Sequence, residues 1–314
     1  MLIDEDFIRD NHRISLISNG GQPFKIPQTW RPILTNCAML VVIPDLHMYV
    51  RNSTLDNFKY GAKALLSFLD HLSALKEEFE RRREILRIYQ IGDLYEQRFP
   101  VPLARAPNVT AEEIAMSDPE YSEIIDAMMR LRTQFLYGNH DFEMRHFPHF
   151  RFAAVEGKIH LEHGFTPDQW YTFANPREPL WEPANFIYKG IREMEDFFGK
   201  LLVDAKLIGK DEHFALGVLS GEQERADYPS EETYPRRQLE HYSSRLRTGA
   251  NGTSVRISII GHTHQPYLNP DIEGGEYLFI DTGCWTEGRS DFVVVTDEEV
   301  AICHFHRKEF PLGA

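Results

Sequence analysis

The 314-residue chain has little cysteine, no excess of basic residues and no long apolar run. Its three cysteines, Cys37, Cys284 and Cys303, are scattered and odd in number, which favours reduced thiols over a disulfide framework. No apolar stretch is long enough to span a bilayer. The acidic, mixed N-terminus has neither a basic start nor an apolar core, so it does not resemble a secretory signal. We therefore expect a cytoplasmic protein without a transmembrane segment.

The balance of charge restricts the partners that the chain can bind. Lys and Arg number 34 against 48 Asp and Glu, which gives a formal net charge of −14. Broad nucleic-acid binding depends on a basic surface, so this charge argues against it. A phosphorylated small-molecule or nucleotide-type substrate stays compatible, because bound cations can neutralise part of the acidic excess. The sequence predicts neither a protein partner nor an oligomeric state.

The hydrophobic content of 42% is that of a folded globular chain, and its apolar runs alternate between strand and helix character. Residues 1–38, with Gly20-Gly21 and several prolines, are predicted to form an irregular N-terminal arm. A single domain is predicted over 39–314, with an insertion or cap at about 165–250. Residues 99–118 are predicted to be a loop.

The pattern predicts an α/β domain whose buried strands end in polar residues. Two helices are expected, one from Asp56 to about Arg87 and one over Pro119–Arg132. The predicted strands are Ala38–Ile43, Ile85–Ile91, Thr133–Tyr137, Lys158–Glu162, Val255–Ile260, Tyr277–Asp281 and a hairpin of Phe292–Thr296 with Val300–His304. Ligands bind at the carboxyl ends of parallel strands in such sheets.

Five polar clusters follow directly after predicted strands. They are Asp45-Leu46-His47, Gly92-Asp93, Gly138-Asn139-His140-Asp141, His163-Gly164 and Gly261-His262-Thr263-His264. Each cluster alone is also compatible with a helix cap, a turn or a packed histidine. Together, on successive strand ends, they predict a metal site, because carboxylate, imidazole and amide ligands suit Mn, Fe or Zn.

This ordered set of clusters resembles the calcineurin-like metallophosphoesterase superfamily over about residues 40–290. The resemblance implies a four-layer α/β/β/α sandwich and two divalent metal ions, with Mn expected to serve in vitro. It implies that Asp45, His47 and His264 bind one ion and that Asn139, His163 and His262 bind the other, with Asp93 bridging both. The segment Ile280–Trp285 is similar to a late turn of that family.

The resemblance also implies the chemistry. The expected function is hydrolysis of a phosphate mono- or diester by a metal-bridging hydroxide, with His140 assisting the leaving group. Glu96 lies three residues after Asp93, where it can pair with His140, and Asp141 is expected to support the site. A nucleotide-conjugate pyrophosphohydrolase is one alternative, and a catalytically silent scaffold with the same fold is another. Four arginines, Arg236, Arg237, Arg245 and Arg247, either bind further phosphates or lie in a solvated loop.

Overall fold

A computed structural model describes most of the predicted domain. The described residues are 14–17, 22–97 without 52, 54, 55 and 59, 109–165, and 255–306 without 273 and 287. Their strands are, in chain order, β1 (Ile14–Leu16), β2 (Phe24–Lys25), β3 (Met39–Ile43), β4 (Leu86–Ile91), β5 (Gln134–Leu136), β6 (Phe150–Arg151), β7 (Ala153–Glu156), β8 (Ile159–Glu162), β9 (Ile257–Ile260), β10 (Tyr267–Ile272), β11 (Tyr277–Asp281), β12 (Asp291–Val295) and β13 (Glu299–Phe305). Their α-helices are α1 (Ala62–Arg81), α2 (Ala111–Met116) and α3 (Pro119–Arg130), and 3₁₀ helices span Gln28–Trp30 and Phe142–His146.

The strands form two mixed sheets. The larger sheet has eight strands in the order β1-β13-β12-β3-β4-β5-β6, with β2 also paired to β13, and β3 to β6 are mutually parallel. The smaller sheet has five strands in the order β10-β11-β9-β8-β7, and β8, β9 and β11 are mutually parallel. The chain is therefore a mixed α/β protein, as the alternating pattern predicted.

One hydrophobic core joins the two sheets. The larger sheet contributes side chains such as Leu40, Val42 and Ile91, and the smaller sheet contributes side chains such as Leu161 and Ile259. These residues stand at alternate positions in their strands, so each strand turns one face towards this shared core. The neighbouring positions of β3 are buried as well, which explains the uninterrupted apolar sequence of that strand.

Helix α1 packs against the larger sheet through an aromatic contact. The ring centroid of Phe68 lies 4.6 Å from that of Phe292 in β12 and 5.4 Å from that of Phe305 in β13. The buried residues of α1 recur at steps of three and four, as the sequence pattern predicted. The start of α3 is also encoded locally, because Asp118 accepts a hydrogen bond from the Glu120 N–H at 2.8 Å and Pro119 occupies the first helical position.

Three expectations about local structure were wrong. Part of the predicted N-terminal arm is in the larger sheet, because β1 and β2 both pair with β13, a partner almost 300 residues away. The predicted loop at 99–118 contains α2, a helix too short to leave a clear periodic signal. The first helix spans Ala62–Arg81, so it begins and ends several residues inside its predicted limits.

All of these strands and helices belong to one of two units into which the chain divides. That unit comprises Met1–Glu96, Ala111–Gly164 and Tyr242–Ala314, and the other comprises Gln97–Thr110 and Phe165–His241. The insertion predicted at about 165–250 lies almost entirely outside the described residues. Within the part of the chain that is described, no helix combines the length and apolar character needed to cross a membrane.

Candidate metal centre

The five polar clusters meet at one end of the two sheets. Three of them follow β3, β4 and β5, neighbouring parallel strands of the larger sheet. The other two follow β8 and β9, which are neighbouring parallel strands of the smaller sheet. Parallel strands place their carboxyl ends at a common edge, so the side chains of all five clusters converge there.

Asp45, His47 and His264 form a first group of potential metal ligands. One ligand atom from each lies within 4.8 Å of the others. His264 Nε2 is 3.2 Å from Asp45 Oδ2, and His47 Nε2 is 2.9 Å from His264 Nε2. Two imidazole nitrogens that face each other at this distance need a proton or a cation between them, since two lone pairs repel.

Asp93, His163 and His262 form a second group with the same spacing of ligand atoms. His163 Nε2 lies 3.0 Å from Asp93 Oδ2 and 3.0 Å from the side-chain oxygen of Asn139. The other ring nitrogen, Nδ1, lies 3.0 Å from the Ile91 carbonyl oxygen and is thereby oriented as a donor.

Asp93 links the two groups. Its Oδ2 lies 3.0 Å from His163 Nε2 and 3.7 Å from His47 Nε2, so one carboxylate oxygen is close to both sets of ligands. Asp93 also forms a third group of potential ligand atoms with His47 and His140. A carboxylate at this position can bridge two cations.

The backbone of the site is strained at the residues that carry these ligands. His47, Asp93, His262 and His264 have φ angles of 48°, 47°, 76° and 60°. This left-handed region is unfavourable for residues other than glycine, and such conformations concentrate at functional sites. The surrounding structure therefore holds these side chains in positions that the local chain would not adopt by itself.

Two glycines allow the strands to approach the ligands closely. A Cβ added at Gly138 would overlap Asp93 Oδ1, and one added at Gly261 would overlap Asp45 Oδ1. Larger residues at either position would displace a carboxylate of the site, which explains why both motifs contain glycine.

Glu96 connects the first group to His140. Its two carboxylate oxygens accept hydrogen bonds from His47 Nδ1 at 2.6 Å and from His140 Nδ1 at 2.5 Å. His47 Nε2 then faces the site, 3.7 Å from Asp93 Oδ2, and the His47 and His140 rings meet edge to face with centroids 4.8 Å apart. The sequence predicted the pairing with His140, whereas the bond to His47 was not anticipated.

Asp141 lies behind the site and organises its backbone. It is fully buried, and its oxygens accept hydrogen bonds from the Leu94 N–H at 2.9 Å and the Gly138 N–H at 2.6 Å. Burial and the neighbouring Asp93 carboxylate raise the pKa of Asp141 to about 7. Backbone N–H groups engage both oxygens, so Asp141 stabilises the turns that carry Asp93 and Asn139.

The carboxylates and imidazoles of the site perturb one another strongly. Burial opposes the charged form of His163, but Asp93 and Asp45 outweigh that effect and raise the pKa of this imidazole to about 10. Burial acts in the same direction on His140, and Glu96 and Asp93 raise its pKa to about 9. Burial alone would raise the pKa of Asp93, but His163 and His140 hold it well below its usual range. Buried carboxylates thus draw positive charge to the places where cations would bind.

The donor set fits a divalent cation. It combines carboxylate, imidazole and amide groups, which bind metals of the manganese, iron and zinc type. In addition, the fully buried Asp45 Oδ1 has no hydrogen-bond partner among the described residues, an expensive arrangement unless a cation occupies that position. These residues could therefore hold metal ions.

The GHTH turn, residues 261–264, has a support that the sequence analysis missed. Thr263 donates its hydroxyl proton to Asp281 Oδ2 at 2.6 Å, and Asp281 is buried at the end of β11. A carboxylate in an otherwise apolar strand is the signal that could have indicated this role. Cys284, in the turn after β11, is buried and lies in packing contact with the site loops.

The four arginines predicted as substrate ligands, Arg236, Arg237, Arg245 and Arg247, lie outside the described residues. No protein-family model matches the chain, and a search of curated proteins finds no significant match. The chemistry of the site must therefore be inferred from its own side chains.

Proposed function

We propose that this protein is a phosphoesterase with two divalent metal ions, related to the calcineurin-like metallophosphoesterases and built on their four-layer α/β/β/α sandwich. The observation that carries the proposal is the position of Asp93, whose Oδ2 lies close to His163 on one side and His47 on the other. Two ligand groups that share a carboxylate would suit a pair of divalent ions.

In this proposal one ion is held by Asp45, His47 and His264, and the other by Asn139, His163 and His262, with Asp93 common to both. When bound, such ions neutralise phosphoryl oxygens and lower the pKa of the attacking water. The surrounding structure holds the ligand residues in strained backbone conformations before the substrate arrives, which is the preorganisation that such sites need.

His140 is proposed to assist departure of the alcohol. Its Nδ1 bonds to Glu96, so its Nε2 is the atom that can pass a proton to the leaving oxygen. The His140 backbone N–H donates to Asp93 Oδ1 at 2.8 Å, which ties the position of the acid to the bridging carboxylate. The substrate is proposed to be a phosphate monoester or diester.

The test uses chromogenic nitrophenyl esters of both classes, assayed after chelation and readdition of Mn²⁺. His140→Ala and Asp93→Asn are compared with wild type and with His149→Ala, which replaces an exposed histidine of the same segment. We expect metal-dependent hydrolysis by wild type and His149→Ala, and loss of that activity in Asp93→Asn. With alkyl esters of the same two classes the His140 variant should lose about 10²–10⁴-fold, and with nitrophenyl esters less, because nitrophenolate leaves without a proton. Metal-independent activity, or equal activity of all the variants, would contradict the proposal.

A further inference from the structure

The two histidines of the GHTH turn serve different ligand groups although only one residue separates them. His264 belongs with Asp45 and His47, whereas His262 belongs with Asp93 and His163. Both have left-handed backbones, with φ of 76° at His262 and 60° at His264. Positive φ is uncommon for residues other than glycine, so two such residues this close together point to contacts that hold the turn.

Thr263 provides the contact through which the turn is held. Its hydroxyl donates to Asp281 Oδ2 at 2.6 Å and accepts a hydrogen bond from the Gln265 N–H at 3.2 Å. Hydrogen bonds therefore hold the turn at its central residue, Thr263, and at Gln265, just after its end. Its beginning is fastened separately, since the His262 N–H donates to Asp45 Oδ2 at 2.9 Å.

Asp281 is well suited to anchor this contact. It is buried, with 2% of its surface exposed, and it is the last residue of β11. Strand β11 pairs in parallel with β9, the strand that leads directly into the GHTH turn. Its second oxygen accepts a hydrogen bond from the Gly283 N–H at 3.2 Å. The anchor thus belongs to the neighbouring strand of the same sheet, so its position relative to the turn is rigid.

We propose that Thr263 and Asp281 are positioning residues that separate His262 and His264 into the two ligand groups. The hydroxyl-to-carboxylate bond draws the middle of the turn towards β11, and the imidazoles on either side are then directed to different cations. This inference rests on the ligand assignment of the proposed function. It adds that occupancy of both ions depends on a pair of residues that bind neither.

The test compares the Mn²⁺ affinity of variants by calorimetry and the coupling of the two ions by electron paramagnetic resonance. Thr263→Val keeps the shape of the side chain and removes the donor, whereas Thr263→Ser restores the hydroxyl. Thr133→Val is the control for the same substitution, because the Thr133 hydroxyl is buried and has no hydrogen-bond partner among the described residues, whereas Thr263 is half-buried and bonded. Asp281→Asn, which leaves one acceptor oxygen for two donors, tests the anchor independently.

We expect Thr263→Val to weaken Mn²⁺ binding by about 10–100-fold, the usual effect of removing a residue that orients metal ligands. Both ions should be affected and the coupled signal should be lost. Thr263→Ser and Thr133→Val should bind close to wild-type affinity. If Thr263→Val binds two ions as tightly as Thr133→Val, the inference is wrong. Should Thr263→Val fail to fold, Asp281→Asn decides by the same comparison.

Measuring Mn²⁺ binding and phosphoester hydrolysis separately distinguishes a failure of this inference from a failure of the proposed function. If wild type binds two coupled ions, Thr263→Val does not, and no phosphoester is cleaved, then the inference holds while the phosphoesterase proposal fails. If wild type binds no Mn²⁺, the ligand assignment is wrong and both are overturned.

Discussion

At the scale of single residues, Glu96 connects a potential metal ligand to the proposed general acid. One of its oxygens accepts from His47 and the other from His140. Hydrogen bonds from ligating or catalytic histidines to a carboxylate select the tautomer and hold the ring. A single side chain therefore orients the proposed metal ligand His47 and the proposed general acid together.

The loss of kcat/KM caused by Glu96→Gln should depend on the basicity of the leaving group. Glutamine has one carbonyl oxygen, so it can accept from only one of the two rings. We expect kcat/KM for alkyl esters to fall by about 10²–10⁴-fold, and that for nitrophenyl esters to fall much less, because nitrophenolate leaves without a proton. The measurement is kcat/KM across a series of leaving groups.

The control for this prediction is the same substitution in a His140→Ala background. If Glu96 acts through His140, Glu96→Gln should add no further dependence on the leaving group there. An effect of equal size in both backgrounds would show that Glu96 acts only through His47.

At the scale of elements, α1 supports the turn that lies behind the first ligand group. Phe68 of α1 packs against Trp285 with ring centroids 5.4 Å apart, and the backbone N–H of Trp285 donates to the Asp45 carbonyl oxygen at 2.9 Å. The same phenyl ring contacts Phe292 and Phe305 of the larger sheet. The helix thereby joins the sheet to the backbone of Asp45, a proposed metal ligand.

Phe68→Ala should lower the free energy of unfolding by about 3–5 kcal/mol, because it empties a buried aromatic position. Urea denaturation of the metal-free protein measures this loss. Phe147→Ala is the comparison, since Phe147 is 53% exposed and its replacement should change stability by no more than about 0.5 kcal/mol. Equal stability of the two variants would show that α1 does not buttress the sheet.

At the scale of the whole molecule, three buried carboxyl groups lie together at one end of the two sheets. Asp45, Asp93 and Glu96 are buried within the same cluster, in a chain with a formal net charge of −14. Without a cation, protonated imidazoles balance these carboxylates, as the raised pKa of His163, about 10, indicates. Metal binding and proton release are therefore linked.

Mn²⁺ binding should release protons and tighten as the pH rises. His163 binds a metal only in its neutral form, so a proton held below pH about 10 must leave when the ion enters. Affinity should therefore increase as the pH rises towards that value. Calorimetry in buffers of different ionisation enthalpy measures the release. A binding heat independent of the buffer would contradict this linkage.

The sequence by itself determined most of the core strands, the two longer helices and the chemical character of the candidate site. Strand β3 reads as a continuous apolar run because both of its faces are buried, and α1 repeats its buried residues at helical steps. The site residues could be selected because each follows a predicted strand, and parallel strands place such residues at one edge. These signals are local, so they can be recognised without knowledge of the fold.

Only the tertiary structure decided how these elements and residues combine. The pairing of β1 with β13 depends on a partner at the other end of the chain, which no local pattern specifies. The two hydrogen bonds that Glu96 accepts, from His47 and from His140, likewise depend on where three separate loops meet. The contact between Thr263 and Asp281 requires β11 to lie beside β9. Contacts between residues distant in sequence arise from the packing of the sheets, because local periodicity determines which face of an element is buried but not which element covers it.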